Sequence, residues 1–157
     1  TYDGGRIYIA MAANTSNIWA GRQISATPDG RLAGEPLSDA ASPTYGRDKH
    51  GVTEVINSVT HPDYTKVACG TVLNQKFTPS AFEGANRAKL RALLRVYFKK
   101  GGQEMQINST SREVLLDAME HPENYQSLVV RVSGFSAFFV TLDRSVQLDI
   151  LARTQQE

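Results

Sequence analysis

The sequence predicts an α/β fold, and three observations carry that expectation. Apolar runs bounded by turn residues, such as "RIYIAMAA" and "LVVRVSGFSAFFVTL", read as buried strands. Other spans place apolar residues three and four apart, as an amphipathic helix does, and the two kinds of segment alternate along the chain. With 157 residues, 41% apolar and 21% charged, the chain can bury the core of one domain covering residues 1–157.

The first strand is expected at about residues 6 to 12. A polar "NTSN" follows, then a Gly/Pro/Ser-rich passage from Ala20 to Gly51 rich in turn signals. A loop of that length is uncommon in a compact domain, so it is expected to lie against something or to serve a site. The spacing Val52, Val55, Ile56, Val59 predicts a short helix stopped before Pro62, and "YTKVACGTVLNQKF" reads as partly extended. The clearest helix covers about 86 to 100, with Leu90, Leu93, Leu94, Tyr97 and Phe98 on one face and Gly101 and Gly102 at its end. A strand at "EMQIN" comes next, then a helix opened by a capping box from Thr110 to Glu113 and closed before Pro122. Residues 128–132 and 135–140 form a hairpin. A last helix starts near Asp143 with Val146, Ile150 and Leu151 inward, and "TQQE" reads as a polar end. Few strands are available, and several look buried on both sides, as in a part of a larger fold.

Charge and composition exclude several classes of function. Seventeen basic and sixteen acidic residues give a formal charge of +1, so neither nucleic acid nor an anionic membrane is an expected partner. No apolar run approaches membrane-spanning length and no charged-then-apolar leader opens the chain, which predicts a soluble, cytoplasmic protein. The opening "TYDGG" lacks Met and suits both an autonomous domain and a piece of a longer polypeptide. His50, His61 and His121 are scattered beside turn residues, and with one cysteine they make a poor ligand set, so no bound metal is expected. Neither a G-x-S-x-G elbow nor a phosphate loop is present, and "TPDGR" reads as a solvated turn before an anion site. Cys69, in "VACGTV", has no cationic neighbour closer than Lys66 and reads as a buried structural thiol rather than a nucleophile.

The hairpin holds the strongest signal. Ser133 and Gly134 read as its tip, an ordinary turn, yet the neighbours Val132, Phe135, Ala137, Phe138 and Phe139 are apolar on both alternating faces. Such a finger belongs inside a larger body, where a loop is unfavourable unless it has a task.

"RVSGFSAFF" closely resembles the signature of the glycyl radical enzymes of the pyruvate formate-lyase superfamily, R-V-x-G-[FY]-x-A, with Arg131, Val132, Gly134, Phe135, Ser136 and Ala137 matching. The passages "ATPDGRLAGEPLSDAASPTYGRDKHG", "NQKFTPS", "GGQEMQIN" and "HPENYQSLVVRVSG" are similar to the carboxyl-terminal region of the dehydratase and lyase branch, leaning to the hydroxyproline dehydratase type. The resemblance covers essentially the whole chain. It implies the carboxyl-terminal part of an α/β barrel, with the glycine loop buried once a larger partner chain is assembled around it. Gly134 would carry the radical, with Arg131, Val132, Ser133, Phe135, Ser136 and Ala137 as the supporting loop.

An α-carbon radical is stabilised when that carbon is flat and conjugated with the peptide on each side, and a side chain would clash with that arrangement. The glycine thus serves as a cofactor made from the backbone, and apolar flanks shield it from water, thiols and oxygen. The resemblance further implies a radical S-adenosylmethionine activating enzyme that removes the glycine hydrogen, and a cysteine on an opposing loop that receives the radical and attacks a small-molecule substrate. Cys69 does not sit in such a motif, so the cysteine is expected on a large partner subunit. The chain is accordingly read as the glycine-bearing small subunit of a split dehydratase or lyase. A spare part replacing an oxygen-cleaved carboxyl terminus, and a non-catalytic α/β interaction domain, stay open as alternatives. Asn14, Thr15 and Asn17, just past the first strand, and Gln106 and Asn108, in "MQIN", are the candidate substrate-pocket residues.

Overall fold

The computed structural model describes residues 2 to 156. Helices and strands follow in the order α1 (Ser16–Gly21), α2 (Val52–Val59), β1 (Val72–Phe77), α3 (Gly84–Lys99), β2 (Glu104–Asn108), α4 (Arg112–Glu120), β3 (Val129–Arg131), β4 (Ser136–Phe138), α5 (Arg144–Ala152) and β5 (Gln155–Gln156). Strands β2, β1 and β5 form a parallel sheet in that order, while β3 and β4 form a separate antiparallel hairpin. The β1–α3–β2 unit is the parallel crossover that the alternation of elements predicts. Tyr97 fixes its return: the buried ring lies against Gly102, where a β-carbon would come within 2.3 Å of it, and its hydroxyl donates to the Glu104 carbonyl at 2.9 Å.

Two apolar clusters hold the chain together. Val55, Ile56, Leu73 and Tyr97 join α2, β1 and α3 on one face of the sheet. Leu115, Ala118, Val130, Val132, Phe139, Ile150 and Leu151 join α4, the hairpin and α5. Because side chains alternate along a strand, β1 and β2 present two different faces. Leu73 and Met105, paired in register, belong to the first cluster. On the other face Asn74 pairs with Gln106 and Lys76 with Asn108, and all four are buried. Burial, together with the nearby Arg112, holds the Lys76 amine below the usual lysine range, with Glu113 pulling the other way. A polar face in the interior needs polar partners.

Several sequence expectations need correction. Residues 6–12 do not form a buried strand: Ile7, Tyr8 and Ile9 are exposed, and among the described residues the ladder contact there is an isolated parallel bridge from Met11 to Thr71. The side chains of Ile7, Tyr8 and Ile9 stay open to solvent, so their hydropathy does not become burial. Cys69 likewise is exposed rather than buried, because it lies in the turn just ahead of β1, its N–H donating to the Ile9 carbonyl at 3.3 Å. In α3 only Tyr97 is buried and Phe98 is exposed, so the expected apolar face is half covered. The cap of α4 is Ser111, whose hydroxyl accepts from Val114 N at 3.3 Å, one residue later than the expected Thr110. The helix α1 was not expected, and the end read as polar tail forms β5 on the edge of β1.

The passage 20–51 does lie against the rest of the chain. Its Arg31 is buried and ties the loop to itself, donating to the carbonyls of Leu32 (3.0 Å), Glu35 (2.6 Å), Ile24 (3.4 Å) and Ser25.

Candidate functional site

The hairpin pairs Val129 with Phe138, Val130 with Ala137 and Arg131 with Ser136. Val132 N–H donates to the Phe135 carbonyl at 2.9 Å, which closes the turn over Ser133 and Gly134. Gly134 adopts φ +79°, in the left-handed region that disfavours residues with a β-carbon. A β-carbon built there would stand 3.0 Å from Asn14 Oδ1. That oxygen is the one atom within 4 Å of the added β-carbon, so the positive φ, more than crowding, is what favours glycine here. Asn14 and Thr15 themselves have positive φ, +46° and +71°, so the backbone beside the glycine is also in an uncommon conformation.

The hairpin rests on the polar face of the sheet, and side chains rather than a backbone ladder attach it. Asn108 mimics a strand partner: its Oδ1 accepts from Arg131 N at 2.8 Å and its Nδ2 donates to Arg131 O at 2.6 Å. Gln106 Oε1 accepts from Gly134 N at 2.9 Å and from Arg131 Nε at 3.1 Å. Arg131 also reaches Ser136 Oγ through Nη1 at 3.3 Å.

Beneath the turn lies a charged cluster delivered by distant segments. Asp39, from the long loop and only 2% exposed, accepts from Ser133 Oγ at 3.0 Å, Asn74 Nδ2 at 2.8 Å and Arg153 Nη2 at 3.2 Å. Arg153, directly after α5, donates through Nη2 to Val132 O at 2.7 Å and through Nη1 to Arg131 O at 3.3 Å. Its Nη2 also meets Asp149 Oδ2 at 3.4 Å. Asp149 Oδ1 in turn accepts from the Tyr45 hydroxyl at 2.5 Å and from Asn17 Nδ2 at 3.2 Å. Two carboxylates thus share one guanidinium in a buried site. Desolvation pushes the Asp39 carboxyl above the ordinary value of 3.8, against the pull of Arg153 and of the Ser133 hydrogen bond. Burial, reinforced by Asp149, likewise raises the Tyr45 phenol, which stays a neutral donor.

These contacts show where the expected pocket residues go. Gln106 and Asn108 have their carboxamides engaged with the hairpin, so they face Gly134 and Arg131. Asn17 is buried and holds Asp149 and the Leu37 carbonyl, the latter at 3.3 Å, although it also borders a shallow groove of about 320 Å³ with Met11, Ser16 and Leu37. Asn14 is at the glycine, and Thr15 precedes α1 without capping it through its side chain. In the loop itself Val132 and Ser133 are buried and Arg131 and Ala137 half-buried, whereas Gly134, Phe135 and Ser136 are exposed in this chain. Sequence reasoning missed Asp39, Asn74 and Arg153. The alternation of Asn74 with Lys76 inside an otherwise strand-like run was the one local signal for Asn74.

The sequence model of the glycine radical family matches residues 37–140, a span that includes Gly134 and Asp39. A probable dehydratase, YbiW, of Escherichia coli (strain K12) is 45% identical over 154 residues, which are 97% of this chain and 19% of that protein. The trans-4-hydroxy-L-proline dehydratase of Clostridioides difficile is 40% identical over 157 residues, covering 99% of this chain and 20% of the relative. Among solved structures, the glycerol-bound B12-independent glycerol dehydratase of Clostridium butyricum superposes with a TM-score of 0.92 at 44% identity, over 98% of this chain and 20% of the other. The hydroxyproline dehydratase of Clostridioides difficile, with substrate bound, gives 0.90 at 39%, over 98% and 19%. The chain spans about a fifth of the length of the relatives it matches.

Proposed function

Since the chain belongs to the glycine radical family, we propose that Gly134 is its radical site and that the chain is the glycine-bearing part of a dehydratase acting on a small hydroxylated molecule. The observation that carries the reading is the backbone at the turn: Gly134 at φ +79°, beside Asn14 Oδ1, with its N–H bound by the buried Gln106. An unpaired electron at this carbon would supply hydrogen-atom transfer without any bound metal.

In activation, an enzyme that cleaves S-adenosylmethionine provides a carbon radical. One C–H bond of Gly134 breaks, a new C–H bond forms on that carbon, and the electron stays behind. In turnover, Gly134 takes a hydrogen atom from a cysteine thiol, and the resulting thiyl takes one from the substrate carbon. The substrate radical loses water, and the product radical recovers the hydrogen from the thiol. Cys69, in the turn ahead of β1 at the edge beside Ile9, is not assigned that role.

The cysteine and most of the substrate pocket belong to a companion portion corresponding to the other four fifths of the relatives, and in the split reading this is a separate large subunit. Exposed apolar side chains next to the glycine support such a companion: Phe135 and Phe138 on the hairpin, and Ile7, Tyr8 and Ile9 along the sheet edge. The polar contacts of Gln106 and Asn108 favour a role in holding the loop over a role in binding substrate.

Electron paramagnetic resonance after anaerobic activation of the assembled enzyme tests the reading. A doublet split by the remaining α-hydrogen, and lost in Gly134→Ala, is the expected result. A silent spectrum with an activating enzyme that works on a related dehydratase would leave Gly134 as an ordinary turn residue in an interaction domain.

A further inference from the structure

We propose that Gln106 is a positioning residue for the radical: it holds the Ser133–Gly134 peptide in place, so that the flattening needed at the α-carbon is taken up entirely on the Phe135 side. The inference rests on Gly134 being the radical site, and it assigns to Gln106 a task that substrate binding would not require.

The resting geometry sets the problem. Conjugation of a radical at Gly134 with the preceding peptide needs φ near 180°, so that the α-carbon's substituents lie in the plane of that peptide. The observed φ is +79°, so loss of the hydrogen calls for a rotation of roughly 100° (180 − 79) about the N–Cα bond. One side of that bond must turn while the other stays.

The two sides are held very differently. On the amino side, Gln106 Oε1 accepts the Gly134 N–H at 2.9 Å, the Ser133 hydroxyl is bound by Asp39 at 3.0 Å, and Arg153 binds the Val132 carbonyl at 2.7 Å. Ser133 is 1% exposed. Gln106 is itself buried and its oxygen also accepts from Arg131 Nε, so it cannot follow a moving peptide. On the carboxyl side, Phe135 and Ser136 are exposed. The ties there stay within the hairpin: the Val132 N–H donates to the Phe135 carbonyl at 2.9 Å, and Arg131 Nη1 donates to Ser136 Oγ at 3.3 Å. The rotation therefore swings the Gly134–Phe135 peptide, opens the bond to the Phe135 carbonyl and leaves the Gln106 bond intact.

A hydrogen bond to the N–H also acts on the electron. An acceptor at the N–H increases electron density on the amide nitrogen, the donor half of the conjugated system. Gln106 thus fixes the plane and strengthens the donation together.

The test uses the assembled, anaerobically activated enzyme and electron–nuclear double resonance at the Gly134 radical. In the wild type, the exchangeable N–H proton should show the anisotropic coupling of a hydrogen-bonded amide, a measurement that needs no variant to fold. Gln106→Leu should alter the N–H and nitrogen couplings and shorten the anaerobic lifetime of the doublet about fivefold, the factor set by one net hydrogen bond. Gln106 Nε2 donates to Glu104 Oε1 at 2.9 Å, so Gln106→Glu is paired with Glu104→Gln; this pair keeps the acceptor oxygen opposite Arg131 and should restore both. A wild-type N–H without a hydrogen-bond signature, couplings and lifetime unchanged in Gln106→Leu, or a Gln106→Glu, Glu104→Gln protein that behaves like the Leu variant, would each overturn the assignment while the radical site stands. No doublet in the wild type overturns the radical reading beneath it, and this inference with it.

Discussion

Replacing Gly134 by alanine removes the reactive position, and the structure allows the structural consequence to be worked out in advance. Two terms contribute. A left-handed φ disfavours an L-residue by about 1–2 kcal/mol. The new methyl would lie 3.0 Å from Asn14 Oδ1, but Asn14 is exposed and its carboxamide is free to give by a few tenths of an ångström. No polar group is orphaned, because alanine keeps the N–H that Gln106 accepts. Against a typical stability of ~5–15 kcal/mol, a loss of about 1–2 kcal/mol leaves the protein folded. With a urea slope of ~1–3 kcal/mol per molar, the midpoint should fall by roughly 1 M with the slope unchanged. Urea titration followed by circular dichroism measures this beside the resonance experiment. A loss above about 4 kcal/mol, outside the range of left-handed strain, would mean that glycine is required here for the fold. The vanished doublet would then say nothing about chemistry.

Asp39→Ala should destabilise by about 3–5 kcal/mol, since it breaks a buried pair with Arg153 and strands the Ser133 and Asn74 donors. Asp39→Asn keeps an acceptor and should lose only about 1–2 kcal/mol; equal losses in the two variants would refute the hydrogen-bond account. The folded Asp39 carboxyl titrates above 3.8, so the stability contributed by its proton is complete below that pH and fades as pH rises through the folded value. The stability of the wild type relative to Asp39→Asn should therefore decline across that window in urea titrations at stepped pH, and an increase would contradict the direction. Ser111→Ala should remove about 1 kcal/mol with the cap of α4, whereas Thr110→Ala should leave stability nearly unchanged. Arg31→Met should open the 20–51 loop to limited proteolysis, read as new cleavage between residues 24 and 35, because the buried guanidinium satisfies four carbonyls there.

Periodic elements were legible in the sequence because periodicity is a local property. The Val52–Val59 helix fell where its spacing put it, α3 and β2 close to it, and the Ser133–Gly134 tip followed from turn chemistry between two apolar runs. Burial was less legible. Ile7, Tyr8, Ile9 and Phe138 have the hydropathy of core residues, yet hydropathy reports only that a side chain favours leaving water, not which element covers it. Strand β5 failed for the opposite reason: Gln155 and Gln156 carry no strand signal, and their pairing with Lys76 and Phe77 is a property of the neighbour. Asp39 stands in a Pro/Ser-rich stretch with no period at all, so nothing local marks it as the residue under the glycine turn.

The same distinction explains how the site is built. A hairpin attached through backbone pairing would lock its register to the sheet along its whole length. Here Asn108, Gln106, Asp39 and Arg153 each reach the hairpin through a side chain, and they meet it at Arg131, Val132, Ser133 and Gly134, all at or before the turn. Beyond Gly134, Ser136 receives a side-chain bond from Arg131 of the hairpin itself, and Thr141 and Gln147 reach the carbonyls of Phe138 and Phe139, each at 2.9 Å. The peptide after Gly134 is thus less restrained than the one before it, and a change of peptide plane is what a flat α-carbon demands. Single side chains are also separable by mutation, so the arm that is held and the arm that turns can be loosened independently. Loosening the held arm, through Asp39 or Gln106, should disturb the radical more than any substitution confined to Ser136.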